Sequence, residues 1–214
     1  MKQFITPAAA LVLMACSAST QAAQSSKSSS DREITPAAAP AASLPEGADT
    51  AIFAGGCFWC VESDFEKLTG VYEVVSGYTG GDLQQPTYRN HGQHVEGAKV
   101  TFDPGVITYE ALLDYYWRHI DPTDNGGQFC DRGHAYIPVI YARPDQVDAA
   151  EASKAKFEET KPFSDPVLVP ILPAKTFWDA EDYHQDYYKK NPRRYKFYRT
   201  TCGRDAKIKS LWTQ

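Results

Sequence analysis

The chain has 214 residues, of which 43% are hydrophobic and 13% aromatic, so it carries enough apolar side chains to build a core. Its 22 Lys and Arg against 27 Asp and Glu give a net charge of -5, which argues against a phosphate-binding surface and against nucleic acid as a partner. No apolar run approaches the length that spans a bilayer, so no transmembrane helix is predicted. The length fits one catalytic-sized domain with an extension.

The first residues have the layout of an export signal, with Lys2, a short apolar stretch and then small residues. Residues 13–16 (Leu-Met-Ala-Cys) are similar to the lipobox of bacterial lipoproteins, in which case Cys16 would carry a lipid on the periplasmic side of a membrane. An ordinary secretory signal cut near Ala23 is the alternative. We therefore expect an export signal over residues 1–16, a flexible Ala/Ser/Pro-rich tether over 17–47 and one folded domain over 48–214.

In the folded domain, the hydrophobic pattern predicts strands that alternate with helices. Strands are predicted over residues 50–54, 71–78, 95–102, 137–141 and 167–172. Helices are predicted over residues 57–68, 108–120, 144–160 and 180–190. The loops between them are long, so we expect an α+β fold, namely a two-layer sandwich with a mixed sheet and a ferredoxin-like core.

Cys57 stands at the start of the first predicted helix, directly after the glycine pair at residues 55–56. Unpaired backbone N–H groups and the helix dipole stabilise a thiolate there, which predicts a lowered pKa and an accessible sulfur for Cys57. Cys60 lies on the same helical face, close enough for a disulfide. The pair is interpreted as a nucleophile and a resolving thiol. A structural disulfide, half of a zinc site and buried core thiols are the alternatives.

The residues around Cys57 resemble a known enzyme family. Gly-Gly-Cys-Phe-Trp-Cys at residues 55–60 is similar to the nucleophile motif of the A-type peptide methionine sulfoxide reductases, which reduce methionine S-sulfoxide to methionine. The resemblance implies that family's α+β sandwich, no cofactor and a thioredoxin-like dithiol reductant, which for an exported enzyme would be periplasmic. It continues in the family's order between residues 51 and 191, through segments 75–81, 86–89, 94–96, 102–104, 119–123 and 180–185.

The same resemblance assigns roles to individual residues. Glu96 would donate a proton to the sulfoxide oxygen, which requires a carboxyl that is protonated at neutral pH in a partly apolar setting. Tyr88 and Tyr136 match two hydroxyl groups that donate hydrogen bonds to the sulfoxide oxygen. Phe58 and Trp59 match the aromatic walls around the substrate methyl group, and Asp131 matches an acidic residue that organises the site. The alternatives are a carboxylate on the sheet surface for Glu96, core aromatics for the rings and a helix cap for Asp131.

The sequence departs from the family pattern at three places. The stretch from Tyr88 to Glu96 is several residues shorter than in the best-known members. Cys130 is an unexpected thiol beside the site, either inert or a redox participant. The tail over residues 193–212 lacks the family's glycine-rich end and carries Cys202 instead. In family members, the resolving thiol, which forms a disulfide with the oxidised nucleophile, is either a tail cysteine or the second cysteine of the CFWC motif. We prefer Cys60, because the helix fixes its position, with Cys202 as the other resolving candidate or an outward relay.

We therefore expect reduction of the S epimer of peptide-bound or free methionine sulfoxide through a Cys57 sulfenic acid, followed by disulfide formation and reduction by a thioredoxin-like partner. The expected substrates are oxidised proteins or peptides. We expect contact with a membrane only through an N-terminal lipid, and we expect the protein to be a monomer. His91 and His94 with the two cysteines do not have the spacing of a familiar zinc finger, so no metal is expected. A thiol-disulfide oxidoreductase of another kind and a non-catalytic lipoprotein with a Cys57–Cys60 bridge are the alternative classes.

Overall fold

The computed structural model describes residues 45–213. The predicted export signal, Cys16 and most of the predicted tether lie outside the described residues, and the first strand begins at Asp49. Within residues 45–213, none of the helices combines the length and apolarity that a membrane crossing needs.

A six-stranded sheet forms the centre of the domain, in the spatial order β7-β6-β1-β3-β2-β8. Neighbouring strands pair antiparallel except β6 and β7, which are parallel, so the sheet is mixed. A short separate hairpin consists of β4 and β5. The strands are β1 (Asp49–Gly55), β2 (Val71–Thr79), β3 (Val95–Phe102), β4 (Gly127–Gln128), β5 (Asp131–Arg132), β6 (Pro138–Ala142), β7 (Ile171–Pro173) and β8 (Trp178–Asp179).

The helices connect these strands in a ferredoxin-like order. The chain runs β1-α1-β2-β3-α2 and then, after the hairpin, β6, and these four strands stand in the order β6-β1-β3-β2. This confirms the predicted α+β fold with a ferredoxin-like core. The helices are α1 (Phe58–Phe65), α2 (Tyr109–Trp117), α3 (Val147–Thr160), α4 (Tyr187–Lys190), α5 (Pro192–Thr201) and α6 (Arg204–Trp212), with a single 3-10 turn at His134–Tyr136.

Aromatic side chains fill the space between the sheet and the first two helices. Phe53 of β1 stacks on Phe65 of α1 at a centroid distance of 4.9 Å and on Tyr116 of α2 at 5.1 Å. Helix α2 begins where the Thr108 hydroxyl accepts a hydrogen bond from the Ala111 N–H. Its buried residues recur at helical spacing, which aims one face at the core. The core packing therefore fixes α1, and with it the position of Cys57.

The helix predicted over residues 180–190 is wrong for most of its length, because only Tyr187–Lys190 is helical. The side-chain amide of Gln185 accepts a hydrogen bond from the Ser76 N–H and donates one to the Ser76 carbonyl, at 2.9 Å each. The segment therefore provides hydrogen-bond partners for backbone groups of strand β2 and does not form the backbone hydrogen bonds of a helix. The strand predicted over 167–172 is also shorter than expected, since the Leu168 N–H bonds to the Pro122 carbonyl and pairing with β6 begins only at Ile171.

The C-terminal tail, whose conformation the sequence left open, folds into α5 and α6. Both helices are tied to Asp64, a buried carboxylate of α1: Arg199 approaches it at 2.9 Å and Arg204 at 3.7 Å. The buried Arg204 guanidinium also donates to the Gly55 carbonyl at 2.9 Å and to the His119 carbonyl at 2.7 Å. Together with the burial of Leu211 in the main core cluster, these contacts make the tail an integral part of the domain.

Replacing Arg204 with methionine is expected to lower the free energy of unfolding by about 3–5 kcal/mol, because a buried ion pair loses one partner and two carbonyls lose their donor. Urea unfolding followed by circular dichroism measures this loss. Lys196→Met, at an exposed position of α5, is the matched control and should change stability by less than about 0.5 kcal/mol. A loss below about 1 kcal/mol for Arg204→Met would contradict this account of the tail.

Candidate active site

The turn between β1 and α1 sets the position of Cys57. Gly56 has a φ of +83°, and a Cβ at this residue would lie 2.6 Å from the Gln128 Cβ, so both the backbone and the available space require glycine. Cys57 follows as the N-cap residue of α1. Its carbonyl accepts a hydrogen bond from the Cys60 N–H at 3.0 Å, which brings the second cysteine one turn along the same helix.

Cys57 and Cys60 are both free thiols, and both are buried. Burial raises the pKa of Cys57 well above its ordinary value, and the neighbouring Cys60 and Glu96 raise it further, while a hydrogen bond from the Tyr198 hydroxyl lowers it. The prediction of an accessible sulfur with a lowered pKa is therefore wrong for the resting protein. The helix start is present as predicted, but exclusion of water outweighs its effect on the thiolate.

The pKa of Cys60 shifts in the opposite direction. A hydrogen bond from the Cys57 thiol lowers the pKa of Cys60 to about 7, against the effect of burial and with help from the charges of Arg204 and Arg199. Of the two thiols, Cys60 is therefore the one that more readily carries the negative charge in the resting protein.

Glu96 lies on β3, opposite Tyr78 of β2 in the strand register, and it is buried rather than on the sheet surface. Its carboxylate oxygen Oε2 accepts a hydrogen bond from the Phe58 N–H at 3.0 Å. Burial raises the pKa of Glu96 to about 8, the hydrogen bond from Phe58 lowers it, and the charge of Asp131 raises it. At neutral pH most of the Glu96 carboxyl groups therefore carry a proton.

The candidate residues surround one small cavity of about 60 Å³. The sequence analysis singled out seven of its lining residues, and the eighth, Tyr198, comes from the tail. The lining residues are Cys57, Phe58, Trp59, Tyr88, Glu96, Asp131, Tyr136 and Tyr198. A cavity of this size between aromatic rings, hydroxyl groups, a thiol and a protonated carboxyl can hold a small apolar group beside a hydrogen-bond acceptor.

The loop over residues 180–186 holds two of these side chains from outside the cavity. The Glu181 carboxylate accepts hydrogen bonds from the Tyr88 N–H and the Tyr78 hydroxyl, each at 3.0 Å. His184 accepts a hydrogen bond at Nδ1 from the Trp59 indole N–H at 3.1 Å, and its ring packs 4.6 Å from the ring of Tyr88. The stretch that sequence reasoning assigned to a helix thus orients the cavity walls.

Tyr198 is the lining residue that sequence reasoning missed. It lies on α5, and its hydroxyl donates a hydrogen bond to the Asp131 carboxylate and lies close enough to the Cys57 sulfur to lower the pKa of that thiol. Burial raises the pKa of Asp131, and the hydrogen bond from Tyr198 lowers it. Pro192 and the Tyr195–Tyr198 spacing are signals for an amphipathic helix, but no local pattern indicates which part of the molecule that helix would cover.

Cys130 and Cys202 form a disulfide, which the sequence analysis did not predict. The bond joins the hairpin segment beside Asp131 to the C-terminal end of α5, with the two Cα atoms 4.9 Å apart. Cys202, which the sequence offers as the second resolving candidate or an outward relay, is therefore bonded to Cys130, the unexpected cysteine beside the site. Cys60 is the free thiol that remains beside Cys57.

His91 and His94 do not approach Cys57 as metal ligands would. His94 uses Nδ1 to accept a hydrogen bond from the Gly81 N–H at 3.2 Å, and Nε2 lies 2.8 Å from the Leu83 carbonyl. His91 stacks on the ring of Tyr78 at 5.4 Å. Within residues 45–213, the side-chain clusters with metal-ligand spacing are Cys130, Asp131 and Cys202, and Glu62, Glu66 and Asp186.

Comparison with known proteins identifies the family. The sequence model of the peptide methionine sulfoxide reductases matches residues 49–214. Peptide methionine sulfoxide reductase MsrA 2 of Caulobacter vibrioides is 49% identical over 82% of this chain and 91% of its own, and MsrA of Bacillus subtilis is 47% identical over 79% and 98%. The reduced form of Mxr1 from Saccharomyces cerevisiae superposes with a TM-score of 0.65 and 28% identity over 70% of this chain and 88% of that chain. The chain therefore belongs to the peptide methionine sulfoxide reductase family.

Proposed function

We propose that this methionine sulfoxide reductase acts on the S epimer, with Cys57 as the nucleophile and Glu96 as the proton donor. One observation carries the proposal: the Cys57 thiol and a carboxyl whose pKa is about 8 line the same small cavity. Attack on a sulfoxide sulfur needs a proton on the oxygen as the S–O bond weakens, and a protonated Glu96 supplies it at neutral pH.

The cavity walls suit the two small groups on a methionine sulfoxide sulfur. Phe58 and Trp59 offer aromatic faces to the methyl group, while Tyr88 and Tyr136 offer hydroxyl groups to the oxygen. A sulfoxide sulfur is chiral, so a cavity that holds the methyl group and the oxygen at separate places accepts one epimer. The family resemblance makes that epimer S.

The first chemical step leaves oxygen on Cys57. The Cys57 sulfur bonds to the substrate sulfur while Glu96 protonates the oxygen, the S–O bond breaks, and methionine leaves as the hydroxyl group passes to Cys57 to form a sulfenic acid. The proton that Cys57 loses restores the Glu96 carboxyl, so Glu96 ends the step as it began. Methionine sulfoxide is reduced by two electrons to methionine, and Cys57 is oxidised by two.

Cys60 is the proposed resolving thiol. It lies one helical turn from Cys57. In the reduced protein a hydrogen bond from the Cys57 thiol lowers the pKa of Cys60, and the charges of Arg204 and Arg199, which remain when Cys57 is oxidised, lower it further and favour the thiolate. The Cys60 thiolate attacks the Cys57 sulfur, a disulfide forms, and hydroxide leaves as water after taking a proton. An external dithiol then reduces the Cys57–Cys60 disulfide to two thiols.

A thioredoxin-like protein is the proposed external dithiol. Mxr1 of yeast, which has the same fold, has also been solved in complex with Trx2. The lipobox-like residues 13–16 support a lipid anchor at Cys16, a location on the periplasmic side of a bacterial membrane and a periplasmic reductant. A monomer without a cofactor completes the proposal.

The rate of methionine release in a single turnover should fall above about pH 8, because Glu96 then loses the proton that it donates. Glu96→Gln should lower this rate by roughly 10²- to 10⁴-fold and remove the alkaline fall. Quenched-flow measurement with the S epimer gives both quantities. Glu62→Gln is the matched control, since burial raises the pKa of Glu62 to about 7 but its carboxylate bonds to Ser76 and Asp186, outside the cavity. A Glu96→Gln rate within threefold of the wild type would refute the assignment.

Cys60→Ser should release about one methionine per enzyme and then stop when a thioredoxin-like protein is the reductant, because the Cys57 sulfenic acid has no thiol partner. The double variant Cys130→Ser/Cys202→Ser should keep steady-state turnover. Counting methionine released per enzyme separates the two cases. Full turnover in Cys60→Ser together with a single turnover in the double variant would transfer the resolving role to Cys202.

Tyr198→Phe should slow methionine release by roughly tenfold. A hydrogen bond to a charged sulfur contributes about 1.5–3 kcal/mol, but part of this stabilisation is already present when Cys57 is a neutral thiol, so only the remainder affects the rate. The same change should move the alkylation of Cys57 by iodoacetamide to higher pH, measured in a Cys60→Ser background. Tyr183→Phe, which removes the hydroxyl of an exposed tyrosine, is the control. An unchanged alkylation profile would show that Tyr198 does not act on Cys57.

A further inference from the structure

A second and larger cavity, of about 550 Å³, lies directly beside the catalytic one. Trp59 and Tyr198 line both cavities, so an occupant of one lies next to an occupant of the other. We call the larger cavity the α5 groove, since most of its remaining lining comes from that helix. It is lined by Trp59, Tyr187, Arg193, Arg194, Phe197 and Tyr198.

The walls of the α5 groove are aromatic and partly exposed. The indole of Trp59 stacks on the ring of Tyr187 at 3.7 Å, which gives a rigid flat surface. Phe197 is 72% exposed, which is an unusual position for a large apolar side chain unless another molecule covers it. A ligand side chain that packs on these rings would remove apolar surface from water without any rearrangement of the helix.

The edge of the groove is basic although the chain as a whole is acidic. The stretch over residues 189–199 contains Lys and Arg but no Asp or Glu, in a chain of net charge -5. Arg199 is neutralised by Asp64 and Asp205, and Lys189 by Glu66 and Asp186. Among residues 45–213, Arg193 and Arg194 form no ion pair, and both are exposed at the groove. Their guanidinium groups are therefore available to a carboxylate of a ligand.

We propose that the α5 groove binds the polypeptide that flanks methionine sulfoxide, with an apolar side chain on Trp59 and Phe197 and an acidic side chain at Arg193 or Arg194. The inference rests on the proposed function, because the methionine sulfoxide itself must occupy the neighbouring catalytic cavity. An extended chain advances about 3.3 Å per residue, so the first few residues beside the methionine reach the groove. The preferred substrates are thus acidic, partly apolar segments of oxidised proteins, and a free amino acid leaves the groove empty.

The test compares kcat/KM for three substrates with dithiothreitol as reductant, so that no protein reductant takes part. The first is a peptide with Phe and Asp on both sides of methionine sulfoxide, the second has Lys in place of each Asp, and the third is N-acetyl methionine sulfoxide. Wild-type enzyme should prefer the acidic peptide. Arg193→Glu/Arg194→Glu should reduce the ratio of acidic to basic peptide by roughly three- to tenfold, the range expected for two exposed charges. The rate on N-acetyl methionine sulfoxide should not change.

Lys196→Glu is the matched control, because it makes a charge reversal at an exposed position of α5 that does not line the groove. An unchanged peptide ratio in the double variant would overturn the proposal. An equal loss in Lys196→Glu would also overturn it, since the effect would then reflect net charge. A defect that appears only with a thioredoxin-like reductant would assign the groove to that partner instead. Wild-type enzyme that reduces none of the three substrates would refute the proposed function itself, which is a separate result.

Discussion

The loss of water around the Glu96 carboxyl is the constraint on which the rest of the site depends. Glu96 is buried at the second position of β3, and its side chain has one backbone donor, the Phe58 N–H; this single hydrogen bond does not offset the cost of burying a charge. The carboxyl therefore keeps its proton at neutral pH. The same exclusion of water raises the pKa of Cys57, so both proposed reacting groups are neutral before substrate binds, and the cavity holds a proton beside the proposed nucleophile. A charged Glu96 would both lose its role as a donor and repel the Cys57 thiolate.

The C-terminal tail maintains this dry environment. Asp64 of α1 is buried, and it is compensated by Arg199 of α5 and Arg204 of α6, so the first catalytic helix and the tail need each other's charges. The Cys130–Cys202 disulfide adds a covalent link between the same tail and the segment that carries Asp131. Both connections hold α5 where Tyr198 closes the catalytic cavity and where the α5 groove begins. The tail thus contributes to stability through both α5 and α6, and α5 brings Tyr198 into the lining of the cavity.

Local patterns in the sequence predicted much of this molecule, and long-range contacts account for what they missed. Strand β3 agrees with its prediction, and α2 differs by a few residues at its ends, because periodic burial is visible in the chain itself. The cavity residues could be predicted because the motif around Cys57 and the matching segments after it follow one another in the same order as in the family. The raised pKa of Cys57 could not be predicted from a helix start alone, since it depends on burial by the surrounding elements and on the neighbouring Cys60 and Glu96. The Cys130–Cys202 pairing, the contribution of Tyr198 and the turns over residues 182–186 depend in the same way on contacts between segments that are distant in sequence.

The central claim is that Glu96 is a neutral acid in the resting enzyme, and its ionisation can be observed directly. The measurement is a carbon-13 NMR titration of the side-chain carboxyl groups in protein labelled at glutamate, with the Glu96 resonance assigned by its disappearance in Glu96→Gln. We expect the Glu96 carboxyl to titrate with a pKa near 8, several pH units above that of an exposed glutamate. A Glu96 resonance that titrates near pH 4.5 would show a carboxylate at neutral pH and would contradict the proposed proton transfer.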